Sequence, residues 1–142
     1  MAAVTPLAAN HAGLESLASR FVEVEQMPWS PTRFPGVEVK VLLEQPETGL
    51  LTTLLRMAPG AKLPDHEHVR IEQTFVLEGS LECAEGRCTA GNYVWRPAGS
   101  RHEAWSPEGG LMLAFFLKPN KFFDLDPEGA SFDPHDEGTG RG

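Results

Sequence analysis

Four residues have the types and spacing of a divalent metal site. One residue separates His66 from His68, so on an extended segment both imidazoles point to the same side. Glu72 can return to that side at the start of the next run, and His102 follows shortly after a Pro-Ala-Gly turn. Three imidazole nitrogens and one carboxylate oxygen are borderline donors that suit Fe(II), Mn, Ni, Zn or Cu(II). We therefore predict one divalent metal ion per chain, held by these four side chains.

The number of protein ligands bears on what such a site could do. An octahedral ion with four protein ligands keeps two positions for water, dioxygen or a bidentate substrate. A tetrahedral zinc ion with the same ligands would be coordinatively full. The donor types do not choose between these cases, so a catalytic and a structural site both stay open.

The segments that carry these residues have the pattern of short β-strands. Val37, Val39, Val41 and Leu43 alternate with a second set of residues, which is typical of a strand with one buried face. Glycine and proline turns then punctuate residues 59–110 at short intervals, with no helical segment between them. Closely spaced strands of this kind predict an all-β fold, an antiparallel sandwich or barrel.

Two stretches resemble the signature motifs of the cupin superfamily. The first motif joins a glycine, a His-x-His pair, a glutamate and a second glycine, matched here by Gly60, His66, His68, Glu72 and Gly79. The second motif joins a glycine, a Pro-x-Gly turn and a histidine, matched here by Gly91, Pro97, Gly99 and His102. Its usual closing asparagine is Ser106 in this chain, a departure that leaves the four candidate ligands untouched. The resemblance implies an antiparallel double-stranded β-helix, or jelly-roll barrel.

The resemblance also implies a choice of functions. The chain around Glu72 and around His102 is similar to small cupins grouped with dihydroxyacetophenone and acetylacetone dioxygenases. That similarity implies a non-haem Fe(II) dioxygenase that cleaves a carbon-carbon bond of a small diketone or hydroxyketone, and we favour it. The same stretches resemble the cupin domain of zinc-binding anti-sigma factors, which implies a non-catalytic zinc site with a structural or sensory role. A metal-dependent isomerase, lyase or cyclase acting on a small carbonyl compound would use the same four residues.

The chain divides into three regions. Residues 1–19 are weakly patterned and are expected to form an N-terminal arm, and residues 20–123 are expected to form the barrel. Residues 124–142 are rich in Asp, Glu, Gly and Pro, so we interpret them as an acidic C-terminal tail with little to bury. His11 and His135 lie in the two ends and are interpreted as solvated side chains. Glu67 and Glu78 are interpreted as surface charges.

Composition limits the expected partners. The chain has 12 Lys and Arg residues against 20 Asp and Glu residues, a net charge of −8, which disfavours nucleic acid and anionic membranes. Its longest apolar run, residues 111–117, is too short to span a membrane, and its start lacks the pattern of a secretory signal. We expect a soluble cytoplasmic protein with a small-molecule substrate. The cupin resemblance also implies a homodimer, in which an N-terminal strand or the loop around Trp29 crosses to the partner.

The two cysteines flank a short turn. If Glu85 and Gly86 form a two-residue turn, Cys83 and Cys88 face each other across a hairpin, close enough for a disulfide. Without export, we expect two reduced thiols.

Alternation along the strands predicts which side chains line a pocket beside the metal. If Glu72 points inward, so do Thr74 and Val76, and if His102 points inward, so does Ala104. On the last strand the cavity is faced by one of two sets, either Leu111, Leu113 and Phe115 or Met112, Ala114 and Phe116. Four arginines near the motifs are expected as solvated charges at strand ends, with contact to an acidic or enolate oxygen of the substrate as the alternative: Arg56, Arg70, Arg96 and Arg101.

Overall fold

The computed structural model describes residues 2–123 and the backbone of residues 130 and 131. In that part of the chain, two short 3-10 helices, Ala9–His11 and Val24–Gln26, precede a series of β-strands. The strands are β1 Ser30–Pro31, β2 Val37–Gln45, β3 Leu50–Met57, β4 Ala61–Glu67, β5 Glu72–Cys83, β6 Gly86–Thr89, β7 Tyr93–Arg96, β8 Arg101–Ser106, β9 Gly110–Phe116, β10 Lys121–Phe122 and β11 Ala130–Ser131.

Strand β5 belongs to both sheets of the barrel. Its first part pairs with β9 and β7, in the sheet that continues through β3 to β2 and β1. Its last part pairs with β6 and β8, in the sheet that continues through β4 to β10 and β11. Every one of these pairings is antiparallel, and the long strand joins the two layers. The prediction of an all-β antiparallel jelly-roll barrel is confirmed.

The core lies between the two sheets, where the inward-facing side chains of both meet. Val39, Val76 and Met112 have no exposed surface. On β9 the inward set is Met112, Ala114 and Phe116, whereas Phe115 is 40% exposed, so the even-numbered residues face the inside. The alternation predicted for β2 holds only as far as Val41, because a register shift follows between Val41 and Leu43.

The hairpin that carries the cysteines is in a different register from the one expected. Cys83 pairs with Gly86, and Leu81 pairs with Cys88, so the turn is formed by Ala84 and Glu85. The expectation that the cysteines face each other was therefore wrong, because moving a turn by one residue changes every pairing in a hairpin. Both cysteines are free thiols.

The N-terminal residues contact the barrel at its edge, where Val4 forms an isolated antiparallel bridge with Glu44. The predicted C-terminal tail and His135 lie outside the described residues, apart from the short pairing of β11 with β10. In the portion of the chain that is described, no helix has the length and apolar character needed to cross a membrane.

Candidate metal centre

Three imidazoles meet inside the barrel. The ring centroids of His66, His68 and His102 are 4.7 to 5.0 Å apart, and one nitrogen from each ring lies within 4.8 Å of the others. His66 and His68 are fully buried, and His102 is partly buried. The structure thus brings together the three histidines that the sequence placed in one site.

Two strands and one loop position these rings. His66 on β4 is directly opposite His102 on β8, after an irregularity in the pairing that includes Pro64. Proline cannot donate a ladder hydrogen bond and is tolerated at such irregularities. His68 lies just beyond β4, where its backbone N–H donates to the carbonyl of Ser100 (2.8 Å) and its carbonyl accepts from Gly99 (2.7 Å). The Pro-Ala-Gly turn therefore holds His68 beside the start of β8.

Hydrogen bonds at Nδ1 of His66 and His68 show that Nε2 is the nitrogen available to a metal in both rings. Nδ1 of His66 is 2.7 Å from the carbonyl oxygen of Pro64, so this nitrogen carries the proton and donates. Nδ1 of His68 is 3.0 Å from the carbonyl oxygen of Ser100 and 2.8 Å from Oγ of Ser100. That hydroxyl donates its own hydrogen to the carbonyl of Pro97 (2.7 Å), so it accepts from His68. In both rings Nε2 keeps its lone pair, which is the form that binds a metal.

Glu72 contacts this group through His68 and is outside the set of mutually close ligand atoms, which contains the three histidines. Its Oε2 is 3.1 Å from Nε2 of His68, and its side chain is only 12% exposed. With Nδ1 donating to Ser100, neutral His68 presents the lone pair of Nε2 to this carboxylate, and protonated His68 would form an ion pair with it. Two ligands at right angles around an ion with bonds of about 2.1 Å are about 3 Å apart, so the 3.1 Å separation also suits two ligands of one cation. The residues present therefore fit a divalent metal ion.

The titration behaviour of the site also fits metal binding. Burial lowers the pKa of His66, and burial together with the positive charge of Arg96 lowers the pKa of His102 to about 3. Burial alone would raise the pKa of Glu72, but the neighbouring His68 outweighs it and the pKa is lowered. A lowered pKa keeps His66 and His102 neutral and Glu72 ionised, and these are the protonation states that a metal ion requires of its ligands.

These shifts predict how the metal-free protein responds to acid. Between pH 6.5 and about 3 the unfolded chain protonates His102 and the folded chain does not, so stability is full above this window and falls as the pH drops through it. Urea unfolding of the metal-free protein at about pH 8 and about pH 5 should show a lower midpoint at the acidic pH. His102→Gln, which has no imidazole to protonate, should reduce that difference. Equal midpoints for the unchanged protein would contradict the expectation.

Arg96 is the residue whose environment differs most from the sequence-based expectation. It was expected as a solvated charge, but its side chain is only 9% exposed, because it is the cross-strand partner of Glu72 and shares its inward face. The other three arginines are exposed as expected: Arg56 pairs with Glu38, Arg101 pairs with Asp65, and Arg70 is at the surface. Strand β7 is short, and the sequence does not show which strand it pairs with, so nothing in the sequence indicated that Arg96 would point inward.

A second group of potential ligands shares His102. Cys83, Glu85 and His102 also bring one ligand atom each to within 4.8 Å of the others. Arg96 lies among them, with Nη1 3.4 Å from Sγ of Cys83 and 3.9 Å from Oε1 of Glu85. A fixed positive charge at this position disfavours a second cation, so the first group is the better metal site.

A small cavity lies beside Glu72. It has a volume of about 30 Å³ and is mainly apolar, lined by Thr53, Leu55, Leu63, Glu72, Thr74, Leu81, Met112, Ala114, Phe116, Asn120 and Phe122. Of the predicted lining residues, Thr74 faces this inner cavity, while Val76 and Ala104 are buried in the closed core. The volume is enough for about two water molecules. Sequence reasoning did not single out Asn120, whose Oδ1 is buried without a hydrogen-bond partner among the described residues.

The chain is similar to one protein family and to several solved structures. Residues 18–121 match the family described as the ChrR cupin-like domain. A putative acetylacetone dioxygenase from Methylibium petroleiphilum PM1 superposes with a TM-score of 0.72 at 24% identity, over 84% of this chain and 90% of that chain. An acetylacetone dioxygenase from Acinetobacter johnsonii gives a TM-score of 0.71 at 21% identity, over 84% and 87%. The Rhodobacter sphaeroides complex of SigE with the anti-sigma ChrR gives a TM-score of 0.57 at 25% identity, over 66% of this chain and 50% of that chain. No curated protein sequence matches this chain.

Proposed function

This chain belongs to the ChrR cupin-like domain family, and from that membership we propose that it is a metal-dependent cupin with one divalent ion per chain. His66, His68, Glu72 and His102 would hold the ion. The observation that carries the proposal is the convergence of three imidazoles, with one nitrogen of each ring within 4.8 Å of the others and the Glu72 carboxylate 3.1 Å from Nε2 of His68.

The reaction we propose is the cleavage of a carbon-carbon bond of a small diketone or hydroxyketone by dioxygen, with Fe(II) as the metal. Bound iron would supply Lewis acidity toward the carbonyl oxygens and redox chemistry toward dioxygen. The protein would contribute a fixed ligand set, with His66 held by Pro64 and His68 held by Ser100. The apolar wall of the inner cavity would exclude bulk water from the reacting centre. The likeness to two acetylacetone dioxygenase structures supports this reaction class.

A second candidate is a non-catalytic zinc cupin with a structural or sensory role. The size of the inner cavity favours it, because about 30 Å³ beside Glu72 does not accommodate a diketone without movement of the wall. The likeness to the anti-sigma complex points the same way.

One experiment separates the two candidates. Protein purified without added metal is analysed for its elements, then reconstituted with Fe(II) and assayed in an oxygen electrode with a panel of diketones and hydroxyacetophenones. Oxygen uptake by the iron form, lost in His68→Ala, supports the dioxygenase. Stoichiometric tightly held zinc with no oxygen uptake supports the second candidate. Consumption of a carbonyl substrate without oxygen would indicate an isomerase, lyase or cyclase.

The predicted homodimer has a suitable surface on the outer face of β5, β7 and β9. Phe75, Tyr93, Trp95 and Phe115 lie side by side there and are 39 to 55% exposed. At about 200 Å² per aromatic side chain, these four present roughly 350 Å² of apolar surface, close to half of the 800 Å² or so that a stable interface buries on each partner. We therefore propose this face as a contact between two copies, beside the expected contact of the Trp29 loop.

Light scattering tests this placement. The unchanged protein should have about twice the mass of one chain, and Trp95→Glu should reduce it to one chain, because a carboxylate cannot be buried against its own copy. The matched control is Leu17→Glu, which replaces a 97% exposed leucine outside this face and should remain dimeric. A monomeric unchanged protein would rule out the dimer.

A further inference from the structure

A pocket much larger than the inner cavity lies on another side of the residues that surround the metal centre. It lies between the β5–β6 hairpin and β7, has a volume of about 460 Å³, and is called here the hairpin pocket. It is lined by Leu81, Cys83, Glu85, Gly86, Arg87, Cys88, Asn92, Tyr93, Val94, Trp95, Arg96, Pro97 and Ser100. Its volume is within the range of about 300 to 1,000 Å³ that small-molecule sites have.

The hairpin pocket touches residues that surround the candidate metal ligands. Ser100 accepts the Nδ1–H of His68, Cys83 lies beside His102, and Arg96 is the cross-strand partner of Glu72. None of the four candidate ligands lines the pocket, so these three residues would lie between a bound molecule and the imidazole cluster. The inner cavity is too small to offer the same access.

Arg96 is a buried cation with incomplete pairing. Its guanidinium has five N–H donors. Among the described residues, its side chain is 3.4 Å from Sγ of Cys83, a weak acceptor, and 3.9 Å from Oε1 of Glu85, beyond hydrogen-bond distance, while the Glu72 carboxylate acts on it through its charge. The Glu85 side chain is 81% exposed, so water screens much of its charge. Removing a guanidinium from water is costly unless an anion pairs with it, so Arg96 has the capacity to bind one.

We propose that the hairpin pocket binds a small organic acid, whose carboxylate pairs with Arg96 while its carbonyl group is directed at the imidazole cluster. This inference rests on the proposed function and replaces its neutral diketones by carbonyl compounds that carry a carboxylate, such as oxo acids. A planar guanidinium matches a carboxylate with two parallel hydrogen bonds. Leu81, Val94 and Pro97 would contact the carbon skeleton. Arg87 adds a second positive charge at the rim, where it is shared with Glu82 and Glu108.

Binding to the zinc-loaded protein tests the proposal without turnover. The probes are acetoacetate and acetoacetamide, which have the same size and the same ketone and differ in charge. Calorimetric titration of the unchanged protein should give a dissociation constant at least about tenfold lower for acetoacetate, the usual worth of a charged hydrogen-bonded pair. Arg96→Gln should raise the dissociation constant of acetoacetate by about the same factor and change that of acetoacetamide by less than about twofold. Arg96→Lys keeps the positive charge but cannot form two parallel hydrogen bonds with a carboxylate, so it should retain part of the preference for acetoacetate.

The control variant is Arg56→Gln, which removes an exposed arginine outside the hairpin pocket and should leave both affinities unchanged. Zinc content and circular dichroism verify that each variant binds metal and is folded. Where Arg96→Gln does not fold, the proposal is tested by the preference for acetoacetate over acetoacetamide in the unchanged protein and in Arg96→Lys. Equal affinity for the two probes, binding of neither, or equal weakening of both by Arg96→Gln would overturn the proposal. The oxygen-electrode result is independent of this binding assay, so failure of the dioxygenase reaction and failure of the pocket are told apart.

Discussion

His68→Ala and His102→Ala are each expected to abolish stoichiometric metal binding while the barrel stays folded. Even the outer partners of a metal ligand are worth about 10- to 100-fold in affinity, so loss of a ligand should cost more than about a hundredfold. The fold should survive because its main core cluster, which includes Val39, Val76 and Met112, contains neither histidine. Elemental analysis after gel filtration measures the metal, and far-ultraviolet circular dichroism measures the sheet.

Glu67→Ala is the matched control for these variants, because Glu67, the last residue of β4, lies between His66 and His68 in sequence and is outside the imidazole cluster. It should retain one metal ion per chain. Metal retained in both histidine variants would show that the site is assigned wrongly. Loss of the β-sheet signal in both would instead show that the metal is needed for folding, as in small zinc domains that are unfolded without their ion.

The His66 and His68 pair was predictable because its geometry is local, whereas His102 was added through the second motif. His66 and His68 are two residues apart, and a period of two places them on one face whatever the strand pairs with. The same rule left β9 undecided, since it groups Met112 with Ala114 and Phe116 without saying which side of the sheet is buried. Only the packing of β9 between β3 and β5 decides that.

Arg96 and the cysteines show where this reasoning stops. The inward face of Arg96 depends on its pairing with Glu72, a contact between strands 24 positions apart in sequence, 96 against 72. The predicted pairing of the cysteines was wrong because the turn is formed by Ala84 and Glu85, one residue earlier than expected. In both cases the local pattern was read correctly and the register, which is a tertiary property, decided the outcome.

Gly79→Ala is expected to destabilise the barrel more than any surface substitution. Gly79 is in the part of β5 where the strand passes from one sheet to the other, and its φ of +68° is in the left-handed region. A Cβ atom there would lie 1.9 Å from the carbonyl oxygen of Gly109 and 2.8 Å from Cα of Gly110, both backbone atoms held by pairing. The strand junction must open to relieve this clash, so we expect a loss of more than about 4 kcal/mol in urea unfolding.

Gly91→Ala separates this clash from backbone strain. Gly91 has a similar φ, +85°, but an added Cβ would meet nothing within 4 Å. Its substitution should cost about 1–2 kcal/mol, the usual cost of a left-handed conformation for a residue with a side chain. The difference between the two variants then measures the close approach of β5 to the Gly109–Gly110 turn. Equal losses would mean that this approach relaxes freely, and that the long strand is not held as tightly at the point where it joins the two sheets.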